Sequence, residues 1–135
     1  MRKKILIVDD DAELLGLLRF NFRKAGFAIG TATNGVEALR KACSLEPDLI
    51  LLDLMLPELD GFAVCETLRR DAATASIPVL MLTALPGEMA RLTGLACGAA
   101  DYVTKPFSPR DLISRAERLL LRRPAEPLNA KPLNG

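Results

Sequence analysis

The stretch Leu49-Ile50-Leu51-Leu52-Asp53-Leu54-Met55-Leu56-Pro57 decides how the chain is read. A strand with one face in water alternates apolar and polar residues, whereas four successive apolar residues imply burial on both faces. The run Leu49 to Leu52 stops at a carboxylate, Asp53, and two other runs share this form. Lys4 to Val8 is apolar after its Lys and stops at Asp9; Val79 to Leu82 stops at Thr83. Two weaker runs, Phe27 to Ala32 and Asp101 to Thr104, complete a set of five. Strands of this kind predict a parallel sheet enclosed between helices.

Helical patterns fill the intervals. Between Ala12 and Ala25 the stripe Leu14, Leu18, Phe22, with Leu15 beside it, predicts an amphipathic helix capped by Asp11 and ended by Gly26. Val36 to Ser44, Phe62 to Arg70 and Glu88 to Cys97 predict three more. The last begins with Ser108 as cap, Pro109 at the first helical position and Asp111 three residues after the cap, and it turns Leu112, Ala116, Leu119 and Leu120 inward. Strand and helix alternate five times, so the expected fold is a doubly wound α/β domain over residues 1–123. From 124 onward PAEPLNAKPLNG carries Pro124, Pro127 and Pro132 with few apolar anchors, and 124–135 reads as a linker or disordered tail, ending where a longer protein was cut.

Composition narrows the chemistry. The chain has 135 residues, 50% hydrophobic and 26% charged, which is the composition of one globular domain. Lys and Arg total 18 against 17 Asp and Glu, a net charge of +1, so no global field draws it to nucleic acid or anionic lipid. There is no His, which removes Ser-His-Asp catalysis, His-ligated zinc and phosphohistidine chemistry within the chain. Aromatics are 4%, with no Trp, too few for a base-stacking platform. The apolar run after the opening Met-Arg-Lys-Lys is too short for a signal peptide or membrane span. Cys43, Cys65 and Cys97 form neither a disulfide framework nor a zinc pattern, and are expected as reduced, mostly buried thiols of a cytoplasmic protein.

Open parallel sheets bind ligands at the carboxyl ends of their strands. There the sequence sets Asp9 and Asp10, Asp53, Thr83 and, after the fifth strand, Lys105. Three carboxylates and one ammonium leave net negative charge, which a hard divalent cation with oxygen ligands relieves, and Mg2+ suits that set. With such an ion the site accepts a phosphoryl group, with Asp53 as nucleophile, Lys105 as cationic clamp and Thr83 as hydroxyl donor. Without His, the donor comes from outside. Asp11 is a helix cap in this reading, and the Arg-rich end of the last helix (Arg115, Arg118, Arg122, Arg123) is a solvated face.

The stretches ILIVDDD, LILLDLMLPELDG, VLMLTA and GAADYVTKPFSPRDL resemble the receiver domain of bacterial two-component response regulators, over roughly residues 3 to 122. The resemblance implies a flavodoxin-like sheet ordered 2-1-3-4-5 and a phosphorylation switch served by a histidine kinase or a phosphotransfer protein. It matches Asp53 to the phosphoacceptor, Asp10 to a direct Mg2+ ligand, Asp9 to a ligand through water, and Met55 to a ligand through its backbone carbonyl. It matches Thr83 to the switch hydroxyl, Tyr102 to the switch aromatic and Lys105 to the phosphate-binding lysine. Pro57 and Gly61 match the turn after the acceptor, and the Lys105-Pro106 bond is expected to be cis. Met55 and Leu85 would flank the path of an attacking water without helping it, so a long-lived acyl phosphate is expected. Relatives with winged-helix outputs pair as homodimers through the face of the fourth helix, fifth strand and fifth helix. Ala100 stands where many of them carry Asp, leaving Asp101, Arg91 and Arg115 for such pairs. No nucleic-acid or membrane contact is expected of the chain itself, and catalysis is expected only of its own phosphorylation and slow dephosphorylation. The alternatives are a Mg2+-dependent phosphohydrolase with an aspartyl nucleophile, a flavin-phosphate binder, for which DDDAE is the wrong loop, and a dimerisation module that is never phosphorylated.

Overall fold

A computed structural model describes residues 2–85 and 87–121. Five strands alternate with five helices: β1 Lys4–Val8, α1 Ala12–Lys24, β2 Ala28–Ala32, α2 Gly35–Leu45, β3 Leu49–Asp53, α3 Gly61–Arg70, β4 Val79–Thr83, α4 Gly87–Cys97, β5 Asp101–Thr104 and α5 Pro109–Leu120. All pairings are parallel and the sheet order is β2-β1-β3-β4-β5. The helix-covered parallel sheet inferred from the apolar runs is therefore observed, in the order that the family resemblance implied. The 124–135 segment read as a linker lies outside the described residues, as do Arg122 and Arg123.

Two apolar layers hold the sheet. On one face Leu6, Val8, Ile50, Leu52, Val79 and Met81 pack against Ala38 and Ala42 of α2, Val64, Cys65 and Leu68 of α3, and Cys97 of α4. On the other, Ile5, Ile7, Leu49, Leu51, Leu80 and Leu82 meet Leu15, Leu18 and Phe22 of α1 and Leu112, Ala116 and Leu119 of α5. Successive side chains of each central strand thus enter opposite layers, which is why those strands are apolar at every position.

Local signals place the helix ends. The Asp11 carboxylate accepts from Glu13 and Leu14 N–H, Asn34 from Glu37, Asp60 from Ala63, and Ser108 from Asp111. Gly26, at φ +103, follows the Ala25 cap of α1. Several expectations need correction. β3 and β4 close on Asp53 and Thr83 as expected, Asp53 in register with Leu82 and Thr83 with Thr104, whereas β5 stops at Thr104, short of Lys105. β2 begins at Ala28, after Phe27. α1 ends at Lys24, α2 covers Gly35–Leu45, and α3 and α4 begin at Gly61 and Gly87. Leu15, not Leu14, belongs to the buried stripe of α1, and Leu14 and Leu120 lie partly buried at the rim. Cys43 is exposed, because it faces away from the Ala38 and Ala42 side of α2. Arg115 is not a solvated charge: it bridges to Asp101 at 3.3 Å and Asp111 at 3.5 Å.

Candidate functional site

The sheet order places the site. β2 leaves β1 on one side and β3 lies on the other, so a crevice opens between their carboxyl ends. Asp9 follows β1 and Asp53 closes β3, one on each flank of that crevice. Side-chain alternation sorts the groups further. Ile7, Leu51 and Val103 belong to the α1/α5 layer, and Asp9, Asp53 and Lys105 each follow two residues later. Their side chains converge: Lys105 Nζ lies 3.4 Å from Asp9 Oδ2 and 3.4 Å from Asp53 Oδ2. Asp9 and Asp53 are buried and Asp10 is exposed at the mouth.

Both buried carboxylates are held. Asp53 Oδ1 accepts from Met55 N–H at 3.0 Å, and Asp9 Oδ1 accepts from Asp11 N–H at 2.9 Å. Behind Asp53 the chain doubles back so closely that only glycine fits at 61. A Cβ there would lie 2.6 Å from Leu54 Cα and would also strike the Asp53 carbonyl oxygen, while Gly61 N–H donates to Leu54 C=O at 2.8 Å.

Burial raises the Asp53 carboxyl above its ordinary value, and the neighbouring Asp9 charge adds to the rise against the Met55 N–H and Lys105. Burial pulls Lys105 down, but the charges of Asp53 and Asp9 outweigh it and leave the ammonium above its ordinary value. At 3.4 Å it stands off both carboxylates, where a tight charge-assisted bond is about 2.8 Å long. One ammonium therefore serves two buried acids loosely.

The acids also fit a metal. Asp9, Asp10 and Asp53 each offer an oxygen, and these oxygens lie within 4.8 Å of one another. An all-oxygen, carboxylate-rich set of this size suits Mg2+ or Ca2+ rather than a thiophilic ion.

Thr83 belongs to the other layer. Met81 faces the α2–α4 side and Leu82 the reverse, so Thr83 faces as Met81 does. It is fully buried, and its hydroxyl accepts from Leu85 N–H at 3.0 Å, which leaves its own proton free to donate. Tyr102, in register with Met81, packs with Leu85 against the same layer and also lines a cleft of about 500 Å³ along the outer edge of β5. Met55 is exposed beside Asp53. Lys105-Pro106 is cis, as expected.

The structure thus gathers Asp9, Asp10, Asp53 and Lys105 at one point and sets Thr83 and Tyr102 on the sheet face behind it. Two features escaped the sequence: the Met55 N–H bond to Asp53, and the shared hold of Lys105 on Asp9. Both depend on strand register, for which the sequence carries no local signal. The residues singled out for intermolecular pairing are engaged within the chain: Arg115 holds Asp101, and Arg91 holds Glu88 at 3.1 Å.

Comparison with known proteins points one way. The profile of the response regulator receiver domain matches residues 5–117. The alkaline phosphatase synthesis transcriptional regulatory protein PhoP of Bacillus subtilis is 48% identical over 122 residues, 90% of this chain and 50% of its own length. The DNA-binding dual master transcriptional regulator RpaA of Synechocystis is 47% identical over 95% of this chain and 53% of its own. The chain spans about half the length of these relatives. Among solved structures, a response regulator from Chloroflexus aurantiacus superposes with TM-score 0.86 at 37% identity, covering 90% of this chain and all of that one. A chemotaxis response regulator of Vibrio cholerae gives 0.83 at 31%, covering 88% and 99%. Among the described residues, no helix is long and apolar enough to cross a membrane.

Proposed function

The chain belongs to the response regulator receiver family of two-component systems, and from that premise we propose that Asp53 accepts a phosphoryl group from a partner histidine kinase or phosphotransfer protein. The observation that carries this reading is the buried Asp53 carboxylate sharing Lys105 with Asp9 at the mouth of the crevice.

A bond forms between an Asp53 oxygen and phosphorus as the phosphorus–nitrogen bond of the donor's phosphohistidine breaks, and the departing imidazole keeps that electron pair. Asp53 is ready for this because Met55 N–H fixes one carboxylate oxygen while the buried setting strips water from the group. Lys105 turns from its loose carboxylate contacts to a phosphoryl oxygen and offsets the added charge. Asp9, Asp10, Asp53 and the Met55 carbonyl would hold Mg2+, which supplies Lewis-acid neutralisation of the phosphoryl oxygens. Thr83, whose hydroxyl accepts from Leu85 N–H, then donates its proton to a phosphoryl oxygen. Tyr102 shares that sheet face and follows inward from the open cleft, so the surface of α4, β5 and α5 changes shape. Phosphorylation works as a bias: only one of two states satisfies the new oxygens.

The chain is a receiver rather than an enzyme with a separate substrate, and we propose that its catalysis is confined to gaining and slowly losing its own phosphoryl group. The relatives' names describe transcriptional regulators, and the output proposed for the whole protein is transcriptional, acting in the cytoplasm. Residues 2–121 are proposed to serve as its switch, without nucleic-acid contacts of their own. A homodimer through α4, β5 and α5 would have to share or break the Asp101–Arg115 pair. The test is incubation with acetyl phosphate, or with beryllofluoride, in the presence of Mg2+. Wild type is expected to form a Mg2+-dependent adduct that Asp53→Ala lacks; an adduct of equal yield on the variant overturns the assignment.

A further inference from the structure

Away from the acidic crevice, α3 and α4 bring two nucleophilic side chains together. Cys65 in α3 is fully buried, and Cys97, the last residue of α4, is 2% exposed. Cys65 Sγ donates to the Cys97 carbonyl oxygen at 3.1 Å. Arg69, one turn along α3 from Cys65, runs beside them. A Cβ on Gly98 would lie 3.1 Å from Arg69 Cγ, and the guanidinium donates to Ala75 C=O at 2.8 Å and to Ile77 C=O. Its Nε is buried without a hydrogen-bond partner among the described residues, so the cation is only partly satisfied by the loop it holds.

We propose that Cys65 and Cys97 are an oxidisable dithiol, which a peroxide converts to a disulfide that ties α3 to the C-terminal end of α4. Cys65 Sγ already lies against the Cys97 backbone, so the bond needs side-chain rotation rather than a new fold. Their roles differ. The Cys65 hydrogen bond holds the Cys97 thiol below its ordinary range, while the same bond and burial push Cys65 up. Cys97 is therefore the more acidic thiol and the one that attacks first, with the Arg69 charge nearby.

The Cys97 sulfur gives up its proton and attacks peroxide, breaking the oxygen–oxygen bond; it becomes a sulfenic acid, and the departing hydroxide takes that proton and leaves as water. The Cys65 sulfur then attacks the Cys97 sulfur, the sulfur–oxygen bond breaks, and the departing hydroxide takes the Cys65 proton as a second water. Two thiols lose two electrons and one peroxide gains them. Peroxide is a small neutral molecule, and the route proposed for it is the C-terminal end of α4, which Gly98 at φ +81 terminates. The clamp acts on the helix next to β5, which carries Tyr102, and its formation does not depend on the role of Asp53.

The test uses the chain with Cys43→Ser, because Cys43 is exposed and would otherwise cross-link molecules. The native protein is treated with hydrogen peroxide, then denatured with a maleimide, and weighed intact. The expected result is a loss of about 2 Da with no maleimide added, a peptide joining 65 to 97 on digestion, and reversal by a dithiol. Circular dichroism taken before denaturation shows that the fold was intact. The proposal is overturned if both thiols still take maleimide, if oxygen adducts replace the loss, or if the link forms only in denaturant. Hydrogen exchange supplies the second arm: slower exchange at the end of α4 after oxidation supports the clamp, and unchanged exchange overturns it.

Discussion

At the scale of single residues, Asp53 shows how a site can oppose the fold that carries it. Its carboxyl is raised above its ordinary 3.8 by burial first and by Asp9 second. A raised folded value means the native state holds the proton more tightly than the unfolded chain does. That contribution is present in full below 3.8 and is lost as pH rises through the folded value, so at neutral pH the ionised group weakens the fold. Asp53→Asn is accordingly expected to stabilise the metal-free protein by about 1 kcal/mol or more at pH 7, with the difference from wild type shrinking toward pH 4. Urea unfolding at several pH values measures this, and a variant less stable than wild type at neutral pH contradicts it. Mg2+ is expected to raise the melting temperature of wild type more than that of the variant. Gly61 offers the opposite case, where backbone approach leaves no room. Gly61→Ala forces a Cβ toward Leu54 Cα and is expected to cost about 3 kcal/mol, with loss of phosphoryl acceptance because the Asp53 backbone must shift.

At the scale of elements, helix ends are where local sequence and measured stability meet most directly. At the start of α2, Asn34 accepts from Glu37 N–H at 2.8 Å and Glu37 Oε1 accepts from Thr33 N–H at 2.8 Å. The Thr33 hydrogen bond lowers the Glu37 carboxyl, aided by Lys41 and Arg40. A lowered folded value gives stability that is present above the ordinary 4.5 and is lost as pH falls through the folded value. Glu37→Gln should therefore flatten the acid limb of the stability profile by lowering stability at pH 7, while differing little from wild type at acid pH, where Glu37 is itself protonated. A steeper acid limb in the variant would refute that. At α5, Ser108→Ala removes the acceptor for Asp111 N–H and is expected to cost about 1 kcal/mol in chemical denaturation.

Across the whole molecule, the two sheet faces divide the labour. Asp9, Asp53 and Lys105 lie on the parity of the α1/α5 layer, whereas Thr83 and Tyr102 lie on the parity of the α2–α4 layer. A charge added at Asp53 is thus sensed on the reverse face through one hydroxyl at the end of β4. Thr83→Ala is expected to leave phosphoryl uptake largely intact while abolishing the phosphorylation-dependent change in hydrogen exchange over α4 and β5. Equal changes in both proteins would remove Thr83 from the switch. The exposed Met55 and half-buried Leu85 supply no side-chain hydrogen bond to an attacking water, and the acyl phosphate is expected to outlast that of relatives with polar side chains there. Decay within seconds in Mg2+ buffer contradicts this.

Periodicity and punctuation alone specified the alternation of strands and helices, the caps at Asp11 and Ser108, and the polar stops Asp9, Asp53 and Thr83, because each is a property of neighbouring residues. The nucleophile, clamp and donor roles of Asp53, Lys105 and Thr83 followed from the charges at the strand ends, whereas the sheet order and the parts of Met55 and Tyr102 entered the reading only through resemblance to a family. Tertiary structure decided which groups meet. Lys105 reaches Asp9 across the sheet, Gly61 abuts the Asp53 backbone, Arg115 is consumed by Asp101, and Cys65 touches Cys97. Register, parity and helix rotation set those contacts, and they arise only when distant segments pack together.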